Sequence, residues 1–385
     1  MTEQTGLIKT INGPHEAPEG RRPGLVNRRG FLLASGLTTA SAIVTMHSAD
    51  ALAQARKQAA PFGFMVTPQQ FGAIGDVDMA TGRGTDDTAA LKAARDFCEA
   101  SGAMLVLTSY YKYTGTLELN APIKIDGIGR HACGLYMDID REIEGVHINS
   151  SDVSIENLEV AAHIPRTIQN GQGTYGTCIT IGTLFYRAVF SGPTLIEPDP
   201  ITGTILRALK LTRAEGSASG HALAITGRAS GASITDIDFI GASPAARHGD
   251  AILIHWGTTG RDFPLKAQGG APVAPLVLRK EAQATTYHPN NITIDDIRVR
   301  NTGRLAALSS VYNISITNVD FDGLDDGEAG NGVQLIDLVV GDEADRYAHP
   351  DDAGKVYHNI KVANVLARNV TGSGRNALAL IDVSG

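Results

Sequence analysis

The chain has 385 residues and a formal net charge of −8 at neutral pH, with 33 Lys and Arg against 41 Asp and Glu. This acidic balance argues against a nucleic-acid partner. Glycine is frequent, at 43 residues, and aromatic residues make up only 5% of the chain, which favours many turns and thin aliphatic layers.

The N-terminal segment predicts an export signal. Paired arginines at 28–29 precede a mildly apolar run over 33–44 and a small-residue cleavage pattern at 51–53. The pattern resembles a twin-arginine signal, and an ordinary secretory signal with a chance arginine pair is the alternative. We therefore expect a signal peptide over 1–53, a linker over 54–65, and a mature protein that is periplasmic or secreted. No other segment is long and apolar enough to predict a membrane span.

The three cysteines are Cys98, Cys133 and Cys178. An odd number at wide spacing predicts no disulfide framework. We expect them to be small core residues and not metal ligands.

Residues 71–102 differ from the rest of the chain. The run 71–76 predicts a strand and turn, and the run 85–94 opens a helix with Asp or Thr at its N-cap. Gly102 ends this helix. The apolar residues that share one stripe of it are Leu91, Ala94, Phe97 and Cys98. Such a helix would cover the open end of a stack of strands, where an uncovered edge invites aggregation.

A nine-residue phrase then recurs along the chain. Each copy consists of two short stretches of alternating apolar and polar residues joined at one Asn or Asp. The joining residues are Asn157, Asp236, Asp296, Asn318 and Asn364. Recurrence at variable spacing is typical of a stacked repeat protein. Asn and Asp tolerate left-handed backbone angles, and identical polar side chains stacked coil on coil can bond to each other.

A second set of strands precedes the copies of the phrase. We expect these strands at 146–148, 178–181, 222–225, 252–255, 333–337 and 378–381, with a further one at 305–309. An imperfect phrase at 204–211 supplies a missing copy. Each coil then has three strands, and the chain predicts a solenoid of roughly eight coils stacked about 4.8 Å apart.

The paired motifs "FGAIGD" from Phe71 and "GTDDTAALKAA" from Gly84 resemble the N-terminal signature of the pectate-lyase-like, single-stranded right-handed β-helix superfamily. The resemblance implies an all-β fold, a right-handed parallel β-helix over 66–385 with a short capping helix within 66–102. It also implies that Asp86 and Asp87 belong to the cap and not to a catalytic site. The superfamily includes polysaccharide lyases, glycoside hydrolases, epimerases and phage tailspikes.

The resemblance further implies a substrate groove over the strand that precedes the Asn bend, flanked by the long loops. In this chain that region contains the candidate catalytic residues His248, Asp250, His255, Arg304 and Asp337. The candidate substrate-binding residues are Trp256, Arg261 and His288. The candidate metal ligands are Asp325, Asp326 and Glu328.

Each candidate has a second interpretation. Trp256 beside His255 suits stacking on a sugar ring, and a rim residue packed under the following loop is the alternative. His288 belongs either to the groove or to a simple turn. The acidic run containing Asp325 suits Ca²⁺ or acid–base chemistry, and a solvated turn is the alternative. It lacks the spacing of an EF-hand.

Three functions remain open. A polysaccharide lyase needs a base and a group that neutralises a uronate, for which His255 or His248 with Arg304 would serve. A glycoside hydrolase needs two carboxyl groups, for which Asp250 with Asp326 or Asp337 would serve. A non-catalytic glycan-binding or structural helix is the third. The chain lacks the marker motifs of polygalacturonase-type hydrolases and of pectate lyases. We expect the lyase, with a polysaccharide or oligosaccharide as partner.

The last residues, 380–385, lie within a predicted core strand without a polar cap. Solenoids need such a cap for solubility. We therefore expect the C-terminal end to be covered by another subunit or by a continuation of the chain.

Overall fold

The computed structural model describes residues 64–139, 144–164, 176–182, 189–191, 194–196, 199–215, 217, 220–241, 250–255, 289–309, 311–323, 334–339, 358–369 and 381–384. The predicted signal peptide lies outside these ranges. Within them, no helix has the length and apolar character needed to span a membrane.

Short strands dominate the fold. In chain order they are β1 (Met65–Val66), β2 (Met104–Leu107), β3 (Tyr110–Thr114), β4 (Leu117–Leu119), β5 (Lys124–Gly127), β6 (Gly134–Asp138), β7 (Glu144–Ile148), β8 (Ser154–Glu156), β9 (Glu159–His163), β10 (Gly176–Ile181), β11 (Val189–Ser191), β12 (Thr194–Ile196), β13 (Ile205–Arg213), β14 (Gly220–Thr226), β15 (Ser233–Gly241), β16 (Asp250–His255), β17 (Asn290–Thr302), β18 (Arg304–Ser309), β19 (Tyr312–Gly323), β20 (Gln334–Val339), β21 (His358–Arg368) and β22 (Ile381–Ser384). The helices are a 3-10 helix, Pro68–Phe71, and α1, Thr88–Ser101.

The strands form two large parallel sheets. Sheet 1 has twelve strands, with a main path β1-β2-β5-β8-β13-β15-β17-β19-β21 and with β3, β6 and β9 beside it. Sheet 2 has eight strands in the order β4-β7-β10-β14-β16-β18-β20-β22. A separate antiparallel hairpin joins β11 and β12. The chain alternates between the sheets, and each coil gives two stretches to sheet 1 and one to sheet 2. The fold is the predicted parallel β-helix, right-handed as parallel crossover connections are.

The recurring phrase sets the register of sheet 1. Ile234 pairs with Ile294, Ile294 with Ile316, and Ile316 with Val362. The three isoleucines are fully buried, so the same phrase position points into the core on successive coils. A slip by one residue would turn every inward side chain outward, which explains why the alternating pattern specifies the register.

The predicted bends are confirmed. The joining residues have left-handed backbone angles, with φ of 58°, 57°, 53°, 55° and 55° at Asn157, Asp236, Asp296, Asn318 and Asn364. Their amides also bond along the stack, since Asn364 Nδ2 donates to Asn318 Oδ1 at 3.1 Å. A second ladder at the start of the phrase was not predicted; there Asn359 donates to Asn313 at 2.9 Å, and Asn313 to Asn291 at 3.0 Å.

The imperfect phrase forms the predicted strand, β13, and keeps the bend without an Asn. Ala208 takes the bend position with φ of 53°. Residues other than Gly, Asn and Asp rarely adopt this conformation, because their Cβ atom crowds the backbone. The stacking of β13 between its neighbours therefore imposes the angle on Ala208.

The two motifs near the N-terminus are tied together by carboxylates. Asp87 accepts hydrogen bonds from the backbone N–H of Ile74 at 2.7 Å and of Gly75 at 3.0 Å. Asp76 accepts one from the backbone N–H of Thr85 at 2.7 Å. These carboxylates fix the turn that precedes α1, in keeping with a structural role. Asp87 occupies the N-cap position of α1 but makes no side-chain bond to the helix itself.

The predicted strand at 71–76 is wrong. Phe71 ends the 3-10 helix Pro68–Phe71, and Asp76 makes only an isolated bridge to Tyr110. Proline begins that short helix, and Gly72 ends it with φ of 95°. A strand does not form here because proline favours the start of a helical turn and glycine permits the left-handed angle that ends it.

Helix α1 shows the predicted stripe. Leu91, Ala94 and Cys98 are buried in the continuous core, and Phe97 packs against it. Gly102 follows with φ of 74° and donates its N–H to the carbonyl of Cys98 at 2.8 Å. The helix contacts β2 and β3. That it covers the end of the stack stays a prediction.

The strands predicted ahead of the phrases at 146–148, 178–181, 222–225, 252–255, 305–309 and 333–337 are present in sheet 2 as β7, β10, β14, β16, β18 and β20. Of the last predicted strand, 378–381, only Ile381 lies within the described residues, and it belongs to β22 (Ile381–Ser384). Ile336 pairs in register with Ile381 and Leu338 with Val383.

Candidate active face on the second sheet

The strands of sheet 2 share one pattern of inward and outward positions. On β14, Ala222, Leu223 and Ile225 belong to the continuous core. The remaining positions, which do not belong to it, are His221, Ala224 and Thr226. Two adjacent inward residues require a bend in the strand. On β10 the bend brings the hydroxyls of Thr177 and Thr180 together at 2.6 Å. The surface that carries these outward positions is called the outer face below.

Strand pairing arranges the outer face in rows along the stack. In the first row Glu144 pairs with Thr177, and Thr177 with His221. Further along, Asp250 pairs with Arg304, and Arg304 with Gln334. The row therefore carries acidic, hydroxyl, imidazole and guanidinium groups at steps of about 4.8 Å.

A second row is apolar in its middle and polar at its ends. Ala224, Leu253 and Ala307 form a small apolar cluster separate from the core. Residues of the same row on neighbouring strands are His147 and Thr180 towards the N-terminus and Asp337 and Asp382 towards the C-terminus. A third row contains Thr226, His255 and Ser309.

Four of the predicted catalytic residues lie on three neighbouring strands of this face. Asp250 and His255 are on β16, Arg304 is on β18, and Asp337 is on β20. His255 is buried at 6% exposure, and Arg304 is half-buried. Asp250 and His255 occupy opposite ends of β16, and five residue steps along an extended strand separate their backbones by about 16 Å. His255 is therefore remote from the Asp250–Arg304 pair.

The other predicted site residues lie outside the described residues. They are His248, Trp256, Arg261, His288, Asp325, Asp326 and Glu328. Their assigned roles, including the predicted Ca²⁺ site, stay predictions. Within the described ranges, no group of three or more His, Cys, Asp or Glu residues is arranged to hold a metal ion.

Sequence reasoning missed the N-terminal half of the outer face. Glu144, Thr177 and His221 are all buried there at 3% exposure or less. A signal for two of them exists in the sequence. A glycine, one polar residue and two apolar residues recur at Gly176-Thr177, Gly220-His221, Gly249-Asp250 and Gly303-Arg304. The second residue of this pattern is the first outward position of each strand.

Both ring nitrogens of His147 have hydrogen-bond partners. Its Nδ1 lies 2.6 Å from Glu118 Oε2, and its Nε2 lies 2.9 Å from the carbonyl oxygen of Gly182. The carbonyl can only accept, so Nε2 carries a proton and donates. With both ring nitrogens engaged and 2% exposure, His147 has no free nitrogen for a substrate. It links β4, β7 and the turn after β10, which is a structural role.

Sheet 1 presents charges of alternating sign on its outer surface. Glu159 pairs in register with Lys210, Lys210 with Asp238, Asp238 with Arg298, and Arg298 with Asp320. Lys210 Nζ lies 2.9 Å from Glu159 Oε1, and Arg298 forms an ion pair with Asp238. In a parallel sheet the alternation places opposite charges next to each other, which stabilises the stack.

Two carboxylates of this surface, Asp236 and Glu156, have lowered pKa values. For Asp236, partial burial acts to raise the pKa, but hydrogen bonds from Arg298 and Arg130 outweigh it and lower the pKa below the ordinary value. Glu156 behaves likewise, with Ser154 and Arg207 as its partners. Carboxylates of this kind are poor general acids near neutral pH. The outer face of sheet 2 is therefore the better candidate site.

The cysteines are unsuited to nucleophilic chemistry. Cys98, Cys133 and Cys178 are buried and form no disulfide, in agreement with the sequence prediction. Burial raises the pKa of Cys98 and that of Cys178 to about 12. The thiolate, which is the reactive form, is therefore scarce at physiological pH.

No protein family matches the chain, and no curated protein matches it. Several solved structures are similar. A candidate glycosyl hydrolase from Parabacteroides merdae is 10% identical over 80% of this chain and 99% of its own, with a TM-score of 0.37. The active domain of tailspike protein 2 of bacteriophage CBA120 is 14% identical over 84% of this chain and 46% of its own, with a TM-score of 0.36.

The A-module of a mannuronan C-5 epimerase from Azotobacter vinelandii is 15% identical over 83% of this chain and 94% of its own, with a TM-score of 0.34. Likenesses this distant do not assign an activity. The fold rests on the strand pairing described above.

Proposed function

We propose that the chain is an exported carbohydrate-active enzyme that cleaves an acidic polysaccharide by β-elimination on the outer face of sheet 2. The observation that supports this most is the direct pairing of Asp250 with Arg304 in a row of polar groups. Asp250 and Arg304 are about 4.8 Å apart along the stack, whereas Glu144, Thr177 and His221 of the same row are buried at 3% exposure or less. The apolar cluster Ala224, Leu253 and Ala307 beside the row is also buried, so the half-buried Arg304 carries the proposal, and its guanidinium suits a carboxylate group.

Arg304 is the group that neutralises the uronate carboxylate. Its guanidinium can bind a carboxylate through two parallel hydrogen bonds. Neutralisation makes the proton on the neighbouring ring carbon more acidic, and a base on the outer face removes it. The electron pair left on that carbon forms a double bond to the next one. The bond from that next carbon to the glycosidic oxygen breaks, and the oxygen leaves with a proton.

The base lies near Arg304 in this scheme. His248 is two residues before Asp250 in the sequence, whereas His255 is at the far end of β16. We therefore assign the base to His248 and a substrate-binding role to His255, together with Trp256, Arg261 and His288. Asp325, Asp326 and Glu328 would hold Ca²⁺, which would add positive charge beside the uronate.

The test is incubation of residues 54–385 with a panel of acidic and neutral polysaccharides, with and without Ca²⁺. Ultraviolet absorbance of unsaturated chain ends and new reducing ends are followed together. We expect both to rise on an acidic polymer and neither on neutral ones. An Arg304→Ala variant should lose about 100-fold or more in kcat/KM. Reducing ends without absorbance would contradict β-elimination.

Glycoside hydrolysis is the second candidate, and one observation favours it. Asp337 and Asp382 are direct partners on β20 and β22, so two carboxyl-bearing residues are about 4.8 Å apart in the backbone. Hydrolysis uses two carboxyl groups roughly 5–10 Å apart. If hydrolysis is the reaction, Asp337→Asn and Asp382→Asn should each abolish it, whereas Arg304→Ala should weaken it only modestly.

A further inference from the structure

Asp138 joins two basic side chains on the surface of sheet 1. Its Oδ2 lies 2.9 Å from Lys112 Nζ, and its Oδ1 lies 3.1 Å from His163 Nδ1. Strand pairing brings the carboxylate and the imidazole together, since Asp138 of β6 is the direct partner of His163 of β9. All three side chains reach the solvent, with 21%, 36% and 29% of Lys112, Asp138 and His163 exposed. An ammonium, a carboxylate and an imidazole therefore form one accessible group away from sheet 2.

The contact with Asp138 determines which nitrogen of His163 can act as a base. Partial burial acts to raise the pKa of Asp138, but hydrogen bonds from Lys112 and His163 outweigh it and leave the pKa below its ordinary value. The carboxylate is therefore ionised and only accepts hydrogen bonds, so Nδ1 of the imidazole carries a proton and donates. In the neutral imidazole Nε2 then keeps its lone pair, and none of the described residues bonds to it. A histidine oriented by a carboxylate in this way is suited to general base catalysis.

Packing fixes the plane of the His163 ring. The ring stacks on that of Tyr136, with the centroids 6.5 Å apart and the planes at 26°. Tyr136 is itself 4% exposed, and a Cβ atom on Gly82 would lie 2.4 Å from a carbon of its ring, so the turn at Gly82 packs closely against it. The backbone after His163 is also held, because Ile164 donates its N–H to Ser217 Oγ at 3.1 Å. The imidazole is therefore positioned before any substrate arrives.

Lys112 supplies a hydrogen-bond donor beside this base. Its ammonium group has three N–H bonds. Asp138 accepts one of them, and the carbonyl oxygen of Gly82 accepts another at 3.2 Å. Within the part of the chain that the structure describes, no further acceptor binds this ammonium. The third N–H can therefore stabilise a negative oxygen that develops on a substrate.

We propose that His163, oriented by Asp138, hydrolyses small acyl esters such as O-acetyl groups. Nε2 takes a proton from a water molecule as the water oxygen forms a bond to the ester carbonyl carbon, and Lys112 stabilises the resulting negative oxygen. The bond from that carbon to the alcohol oxygen then breaks, and the alcohol oxygen takes the proton from Nε2. The products are a carboxylic acid and an alcohol. Asp138 stabilises the imidazolium that exists between the two steps.

The acyl group can belong to a small ester or to a polysaccharide. The three side chains are partly exposed on the surface of a sheet, so they can reach an acyl group that projects from a large molecule. This activity does not depend on the proposed β-elimination, because the two sites share no residue.

The test measures ester hydrolysis with two probes, 4-nitrophenyl acetate and chemically acetylated xylan. Nitrophenolate and acetate are followed over many turnovers, so that a single acylation of surface lysines does not count. The variants are His163→Ala, His163→Gln, Asp138→Asn and Lys112→Met, and thermal unfolding of each is recorded. His131→Ala is the matched control, since His131 is exposed and none of the described residues orients its ring.

We expect the wild type to hydrolyse at least one probe and His163→Ala to lose about 100-fold or more of the rate. Asp138→Asn should lose nearly as much, because an amide N–H can donate to Nδ1 and so favour the tautomer in which Nε2 carries the proton. Lys112→Met should lower kcat more than it changes KM, as expected for a group that binds only the developing negative oxygen. His131→Ala should be unchanged. Release of acetate from xylan would identify polymer-borne acyl groups as substrates, and activity on 4-nitrophenyl acetate alone would identify small esters.

Three outcomes would overturn the inference. They are no hydrolysis of either probe by the wild type, equal rates in the wild type and a folded His163→Ala, and full activity in a folded Asp138→Asn. If His163→Ala does not fold, His163→Gln decides the matter, because glutamine keeps a donor to Asp138 but cannot act as a base. The absorbance of unsaturated chain ends reports β-elimination separately, so the failure of one proposal is distinguishable from that of the other.

Discussion

Arg130 and Asp236, 106 residues apart in the chain, form a two-pronged ion pair across the surface of sheet 1. Arg130 Nη2 lies 2.8 Å from Asp236 Oδ1 and 3.0 Å from Oδ2, and Nη1 donates to the backbone carbonyl at 2.8 Å. Arg130 follows β5, and Asp236 belongs to β15. The strands β8 and β13 lie between them in the sheet. The pair therefore joins coils that are not direct neighbours.

Arg130→Ala should lower the free energy of unfolding by about 1–2 kcal/mol, after allowance for solvent screening of a partly exposed pair. Chemical denaturation of both proteins measures this difference. Arg130→Lys keeps the charge but loses the two-pronged geometry, and it should fall between them. Equal stability of all three would contradict the role given to the pair.

The same pair predicts a pH dependence. The folded-state pKa of Asp236 lies below its ordinary value of 3.8, so its ion pairs contribute fully above that value. The contribution is lost as pH falls below 3.8 through the lower folded-state pKa. The stability gap between the wild type and Arg130→Ala should therefore narrow in acid. If the stability difference between the wild type and Arg130→Ala grew as pH falls, the predicted direction of the pH dependence would be wrong.

Ala208→Gly should stabilise the protein, although it removes a methyl group. The left-handed backbone at φ of 53° strains alanine, and glycine adopts it freely. The gain is partly offset by the greater freedom of glycine in the unfolded chain, which leaves about 0.5–1 kcal/mol. Ala229→Gly, at a buried position without a left-handed angle, is the control and should be destabilising. A loss of stability in Ala208→Gly would mean that the angle is not strained.

The Asn ladder can be separated into its two contributions at Asn318. Its Nδ2 donates to Asp295 Oδ1 at 2.7 Å, and its Oδ1 accepts from Asn364 at 3.1 Å. Asn318→Gly keeps the left-handed angle but removes these bonds and adds the freedom of glycine in the unfolded chain, for a cost of about 1–2 kcal/mol. Asn318→Ala also adds backbone strain, and it should cost about 1 kcal/mol more. Identical denaturation midpoints for Asn318→Gly and Asn318→Ala would show that the left-handed angle does not strain alanine at this position.

The three cysteine thiols should not react with a thiol reagent in the folded protein. Burial raises the pKa of Cys98 and Cys178 to about 12 and also raises the pKa of Cys133. A chromogenic thiol reagent at mildly alkaline pH should therefore report no reactive cysteine until denaturant is added, and three thereafter. Rapid reaction of one thiol without denaturant would place that residue at a more accessible site.

The bends of sheet 1 could be predicted because Asn or Asp recurs at the position that takes the left-handed angle. The strands could be predicted because apolar and polar residues alternate on both sides of it. Ala208 could not be identified as strained, since alanine carries no such signal and its angle comes from the strands on either side. The ion pair between Arg130 and Asp236 could not be predicted from the sequence either. Its formation depends on the path of the turn after β5, which the residues of that turn do not determine.

In the candidate site, too, some residues could be predicted from the sequence and others could not. Asp250 and Arg304 were predicted because the family resemblance implies a groove over these strands, and the strand register makes them partners. His221 was missed because it is a single polar residue before "ALAI", which reads as an ordinary core strand. Its place in the same row as Thr177 appears only when the strands are aligned through the preceding glycines.

β-Elimination by this protein can be tested by the mass of the products that the wild type releases from an acidic polysaccharide in heavy-oxygen water. Elimination adds no water, so we expect unsaturated products that carry no heavy oxygen at the cleaved ends, and we expect Arg304→Ala to release none. Saturated products labelled at the new reducing end would show that the protein is a hydrolase and not a lyase.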